Sequence, residues 1–129
     1  MSEDLKNVVV ILTVGKSDGG KAATMAFSCG MSAIAMGHNA VVFLTSDGAV
    51  WGYQGSADGT QIQGFLPLRE LISQYLEQGG RIILCSVCHR TCSVGSPELP
   101  PVAEMVPETE IGGFATILEL AMDGMSVTF

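Results

Sequence analysis

Three observations predict an α/β fold with a mostly parallel, five-stranded sheet flanked by helices on both faces. Two uninterrupted apolar runs, "VVVILTV" and "AVVFLT", read as strands buried on both sides, the pattern of a parallel sheet. Helix-like segments separate the strand-like runs, so the two types alternate along the chain, as right-handed crossover connections require. Apolar residues make up 47% of the sequence and mean hydropathy is +0.40. That is high for a short chain, and implies strands covered on both faces or surface hidden in an oligomer. The 129 residues fit one domain, 1–129, large enough to bury a core without disulfides.

The elements follow in order. Val8 to Val14 is the first strand. Gly15 to Gly20 is a turn in which Asp18 is placed to cap the next helix. Lys21 to Met36, rich in Ala and Met, reads as a close-packing helix that ends at Gly37, where a left-handed backbone is usual. Ala40 to Thr45 is the second strand, and Ser46 to Gly64 is a long glycine-rich loop of the kind that is functional or mobile. Pro67 to Gln78 is an amphipathic helix, with Leu68, Leu71, Ile72, Tyr75 and Leu76 on one face. Pro67 suits its first turn, and Gly79 and Gly80 stop it. Arg81 to Cys85 is the third strand. A Pro-rich break precedes a short fourth strand at Val102 to Val106. Glu108 to Met122 reads as a helix weakened in its first turns by Gly112 and Gly113, and Ser126 to Phe129 closes the sheet. Sites in such sheets form beyond the carboxyl ends of the strands. Gly15 to Gly20, Ser46 to Gly64 and Cys85 to Cys92 are therefore expected to meet there.

Net charge is −7, with 6 basic residues. Such a surface is repelled by nucleic acid. The start, "MSEDLKN", is acidic and polar and does not read as a secretory signal. The longest apolar run is too short to span a bilayer. A cytoplasmic protein without membrane partners is expected, with its cysteines as thiols or ligands. No cofactor is read from the sequence.

"VGKSDGGKAAT" is nearly a phosphate-binding loop. Gly15, Gly20 and Lys21 fit, but Ala22 stands where the Mg²⁺-binding hydroxyl belongs. The simpler reading is a glycine-rich strand-to-helix turn whose amides are able to hold an anion.

"CSVCHRTC" is the most informative stretch. Cys85, Cys88 and His89 also spell a haem-attachment motif, but that chemistry normally needs export and room for a porphyrin. Cys85, Cys88, His89 and Cys92 are candidate zinc ligands, although one compact cluster staples nothing together. An iron–sulfur cluster would need Cys29 as a further ligand. Cys85 and Cys88 have the spacing of a redox pair. Buried small hydrophobes are the plainest alternative. The remaining reading is a nucleophilic thiolate. Cys85 ends a strand at the start of the next helix, where the dipole and the cations His89 and Arg90 would lower its pKa. A thiolate of that kind accepts sulfane sulfur as a persulfide, and a neighbouring thiol takes it onward.

Elsewhere, His38 suits a helix C-terminus better than a ligand set. Met25, Met31 and Met36 read as core or interface filler. Asp47 and Asp58 read as turn residues. Trp51 and Tyr53 fit equally a subunit interface or their own core.

With these segments in hand, the chain resembles the DsrE/DsrF-like (YchN/TusD-like) family. The resemblance runs through "VVVILTVG", "AVVFLTSDGAV", "PLRELISQYLEQGGRIILC" and "GGFATILELAMDGMSVTF". It implies a three-layer α/β domain that assembles into dimers, trimers or hexamers, and a role in intracellular sulfur relay or sulfur oxidation. It implies sulfurtransferase-like chemistry, with the persulfide on Cys85 assisted by Cys88, and with sulfur donor and acceptor proteins as partners. It also sets Gly15 to Gly20 near the cysteines, with Lys16 and Lys21 drawing in an anionic sulfur species or simply solvated. The family relay needs fewer thiols than "CSVCHRTC" supplies. A non-catalytic oligomeric or regulatory module holding a metal through Cys85, Cys88, His89 and Cys92 is the alternative.

Overall fold

Five strands form one sheet: β1 (Asn7–Leu12), β2 (Asn39–Leu44), β3 (Arg81–Cys85), β4 (Glu110–Gly112) and β5 (Gly124–Thr128). In this computed structural model, which describes residues 5–92 and 104–129, their order is β4-β3-β2-β1-β5. Every pairing is parallel. The described residues also form four α-helices: α1 (Lys21–Ala35), α2 (Leu68–Glu77), α3 (Ser86–Cys92) and α4 (Phe114–Met122).

Alternate side chains of the central strands enter two different cores. Val8, Val10 and Leu12 of β1 pack with Val42, Leu44, Ile82 and Leu84 under α1 and α2. Val9 packs with Val41, Phe43, Ile83 and Cys85 under Ile117 of α4. This two-sided burial explains the continuous apolar runs, since a strand with one wet face would alternate. Burying each such side chain contributes about 1.5–3 kcal/mol before the entropy of ordering is subtracted. The expected three-layer α/β architecture is therefore the one observed.

Local chemistry sets the helix ends. The Asp18 carboxylate accepts backbone N–H groups from Gly20 (2.9 Å), Lys21 (3.2 Å) and Ala22 (2.8 Å). The carboxylate thus satisfies orphan donors at the start of α1. The amides that would cradle a phosphate are already bonded to the chain's own carboxylate. Gly37, at φ 90°, ends the helix in the left-handed region as expected. His38 differs from expectation. Its backbone N–H reaches Ala33 O, while its ring Nδ1 accepts the N–H of Lys6 at 3.1 Å. Small residues let α1 approach α2: a Cβ at Gly30 would lie 2.6 Å from the Tyr75 ring. That ring meets Phe27 edge-on at 5.4 Å, and its hydroxyl donates to Arg81 O at 2.7 Å.

The largest departures lie after β2 and after α3. Ser46 to Gly64 was expected to be loop throughout, but Ser46–Gly52 forms a 3₁₀ helix. Trp51 and Tyr53 are each only 1% exposed, so both belong to the chain's own core. The expected strand Val102 to Val106 lies partly outside the described residues. Within it, Met105 makes one isolated antiparallel bridge to Tyr53. The edge strand is instead β4, in the segment expected to open the last helix. Gly112 and Gly113 disfavour helix there. The Arg81 guanidinium grips Glu110 through Nε (2.9 Å) and Nη2 (2.8 Å), which ties β4 to β3. α4 begins only at Phe114, and β5 starts two residues earlier than expected, at Gly124.

Gly48 lets the 3₁₀ helix lie directly on the end of β1, because a Cβ there would collide with the carbonyl of Leu12. Gly48→Ala is expected to destabilise the fold by about 1–3 kcal/mol, as overpacking against backbone does. Urea unfolding measures this, and an unchanged midpoint would mean that the segment is not seated on β1.

Candidate functional site

Cys85 is the last residue of β3, opposite Gly112 of β4 in the sheet register. It is 1% exposed and faces the smaller core under α4. The chain then turns directly into α3, whose first turn carries Cys88. That thiol is half-buried and touches both cores. The C-x-x-C spacing, laid across a strand-to-helix junction, packs Cys88 against the cluster that holds Cys85, and each thiol shifts the titration of the other.

The end of β2 supplies the rest of the site. Ser46 N–H donates to Cys88 Sγ at 3.2 Å, and Thr45 Oγ1 lies 3.8 Å from the same sulfur. The Thr45 hydroxyl also bonds Cys85. Ser46 has φ 55°, a left-handed conformation that an L-residue adopts only when its surroundings hold it there. That conformation accompanies the N–H that meets the thiol.

The two thiols titrate apart. Burial opposes ionisation of Cys85, but its sulfur is bonded by the Cys88 N–H, the Thr45 hydroxyl, the Cys88 thiol and the Val87 N–H. Together these hold its pKa below the ordinary thiol value. Burial pushes Cys88 up, and the neighbouring Cys85 adds to the rise. The Thr45 hydroxyl and the Ser46 N–H offset only part of it. The pair therefore loses its first proton from Cys85 and holds the second, because a like charge already sits beside it. The sequence pointed to His89 and Arg90 for the lowered pKa; the structure supplies hydrogen bonds as its causes.

His89 turns to the buried Tyr53. The phenol oxygen lies 2.6 Å from His89 Nδ1, and the rings stack at 5.9 Å. Tyr53 thereby fixes α3 to the segment that follows β2. Among the described residues no three Cys, His, Asp or Glu side chains converge as a metal-ligand set. Cys92 ends α3, and its side chain lies outside the described residues, as does most of the Pro-rich segment. Cys29 sits on α1, where burial raises its pKa.

Of the three regions expected to meet at the carboxyl edge, the structure joins two around the thiols: the chain after β2 and the cysteine segment. The first turn meets the chain after β2, through Trp51 and Thr60. Trp51 Nε1 donates to Val14 O at 2.9 Å, and Gly20 faces Thr60. Lys16 and Lys21 are exposed. Sequence reasoning missed Thr45, Ser46 and Tyr53 as partners of the cysteine segment. The one available signal was that Thr45 and Ser46 directly follow a central strand.

The fold and site define an α/β protein with a thiol pair at the carboxyl edge of its parallel sheet. Residues 6–129 match the DsrE/DsrF-like family, and the chain belongs to it. Ten solved chains are significantly similar in structure. One is the crystal structure of the YchN protein from E. coli, with a TM-score of 0.72 over 97% of this chain and 100% of that one. At 15% identity that likeness establishes the fold alone. No curated protein is significantly similar in sequence.

Thiolate absorbance should begin to rise below the ordinary thiol pKa of about 8.5, because the Cys85 pKa is lowered. This early step should vanish in Cys85→Ser and persist in Cys29→Ser. An identical curve for Cys85→Ser would place the reactive thiolate elsewhere.

Proposed function

We propose that this protein is an intracellular sulfur carrier of sulfurtransferase type. It holds sulfane sulfur as a persulfide on Cys85, with Cys88 assisting, and relays it to a protein acceptor. The observation that carries this reading is the packed thiol pair on a DsrE/DsrF-like fold, Cys85 with its pKa lowered and Cys88 half-exposed. A thiolate attacks the sulfane sulfur of a donor, and an acceptor nucleophile later removes the terminal sulfur. Neither step needs a metal or a cofactor. Among the described residues no helix is long and apolar enough to cross a membrane. The acidic surface suits donor and acceptor proteins with basic docking faces.

The reading includes a homo-oligomer. Phe114, Leu118 and Met122 recur every four residues on α4 and are 62%, 63% and 86% exposed. Ile111 and Met125 are exposed too, but on the two edge strands and facing the α1 and α2 side of the sheet. An apolar stripe of this kind on a monomer marks an interaction surface. Leu118→Glu is expected to lower the sedimentation-equilibrium mass towards that of one chain. A mass already equal to one chain in the parent protein would remove assembly from the reading.

Benzenethiosulfonate tests the carrier role, because it gives up sulfane sulfur and leaves benzenesulfinate. Reduced protein should release about one sulfinate per chain. Cys88→Ser should also do so, and should gain one thiol-labile sulfur atom by intact mass. Cys85→Ser should release at least tenfold less. Sulfinate release by Cys85→Ser equal to that of the parent would move the carrier to another thiol, and none from any form would end the proposal.

A further inference from the structure

A plain carrier needs one thiol, and here a second thiol, in the first turn of α3, packs against the cluster that holds the first. Thr45, set beside the end of β3 by the pairing of Leu44 with Leu84, places its hydroxyl 3.8 Å from Cys88 Sγ. We infer that the Cys85–Cys88 pair also reduces the bound sulfane sulfur, releasing it as hydrogen sulfide and closing a Cys85–Cys88 disulfide. This inference rests on the persulfide reading and extends it from transfer to a second outcome at the same site.

The step balances within the protein. The proton of Cys88 passes to the terminal sulfur of the Cys85 persulfide. The Cys88 thiolate so formed attacks the Cys85 sulfur. A bond forms between the two cysteine sulfurs, and the bond from Cys85 to the terminal sulfur breaks. The electron pair of that broken bond leaves with the terminal sulfur, as HS⁻. Counted from sulfane sulfur and two thiols, the sulfur gains two electrons and the cysteines lose two. No outside reductant enters until the disulfide is reset by an external thiol.

Geometry favours the attack. Thiols already in contact react at effective concentrations that free thiols do not reach. The Ser46 N–H, 3.2 Å from Cys88 Sγ, stabilises the thiolate that must form there. Cys88 is also the half-exposed member of the pair, so it is the sulfur an external thiol attacks to reset the disulfide. The C-x-x-C spacing spans a junction where such a loop is able to close. Cys29 is no substitute, because it packs against the other core, under α1.

The same donor separates loading from release, since sulfinate counts loading and sulfide counts reduction. With benzenethiosulfonate and no other thiol, the parent protein should yield sulfide about equal to sulfinate. Its final mass should show the loss of two hydrogens, with residues 85 and 88 cross-linked in the peptide map. Cys88→Ser and Cys88→Ala should load more slowly, because the Cys88 thiol helps hold the Cys85 thiolate, yet should retain the sulfur and release at least tenfold less sulfide per sulfinate. The alanine variant guards against a serine-specific folding defect. Sulfinate without sulfide in the parent would overturn this inference and leave the carrier role standing. Sulfide release undiminished in both Cys88 variants would also overturn it. No sulfinate from the parent would overturn both.

Discussion

Burial of β1, β2 and β3 on both faces is the constraint on which the rest depends. Strands with two dry faces need a layer of helix on each side, and parallel strands need crossovers to supply them. α1 and α2 fill one side, and α4 fills the other. Every connection leaving a carboxyl end must then cross the same edge of the sheet. The ends of β2 and β3 are neighbours through the pairing of Leu44 with Leu84. Thr45 and Cys85 each follow directly in sequence, so their meeting is a consequence of sheet register.

That edge also explains why the site is tight. Gly48 allows the chain after β2 to press on β1, and Trp51 and Tyr53 then anchor it in the core. Ser46 is left in a left-handed conformation with its N–H aimed at Cys88. Strain of this type persists only when the packing around it is over-determined. On the other side of Cys85, the Arg81–Glu110 pair and the parallel pairing of Cys85 with Gly112 fix β4. The cysteine is thus held between two neighbouring strands while its own helix starts beside it.

The sequence carried this architecture legibly where physics is local. Uninterrupted apolar runs marked the strands, and helical periodicity marked α2. Asp18 and Gly37 announced the ends of α1, and β3 was read with its bounds unchanged. The thiol pair was legible as C-x-x-C at a strand end. What was hidden depended on tertiary packing. Ser46–Gly52 looks like loop because its glycines suit close approach as well as flexibility, and only the sheet edge distinguishes the two. The β4 segment is three residues long and is recruited by an ion pair from another strand, which no local periodicity reveals. Thr45 and Ser46 acquire their partners 43 and 42 residues away, so no short motif contains them.

Charge and access are the two properties a sulfur nucleophile needs, and this site divides them. The hydrogen bonds that favour the Cys85 thiolate are possible because Cys85 sits inside the junction, among donors. Burial deep enough to gather those donors also excludes solvent. Cys88 lies one turn further on, where exposure is greater and the thiol keeps its proton. A single thiol at either place would lack one property, whereas the pair combines both. The packing that joins them also sets the second thiol against the first. The proposed carrier and reducing roles therefore share one requirement, the packing of Cys88 against Cys85, and substitution at Cys88 separates them.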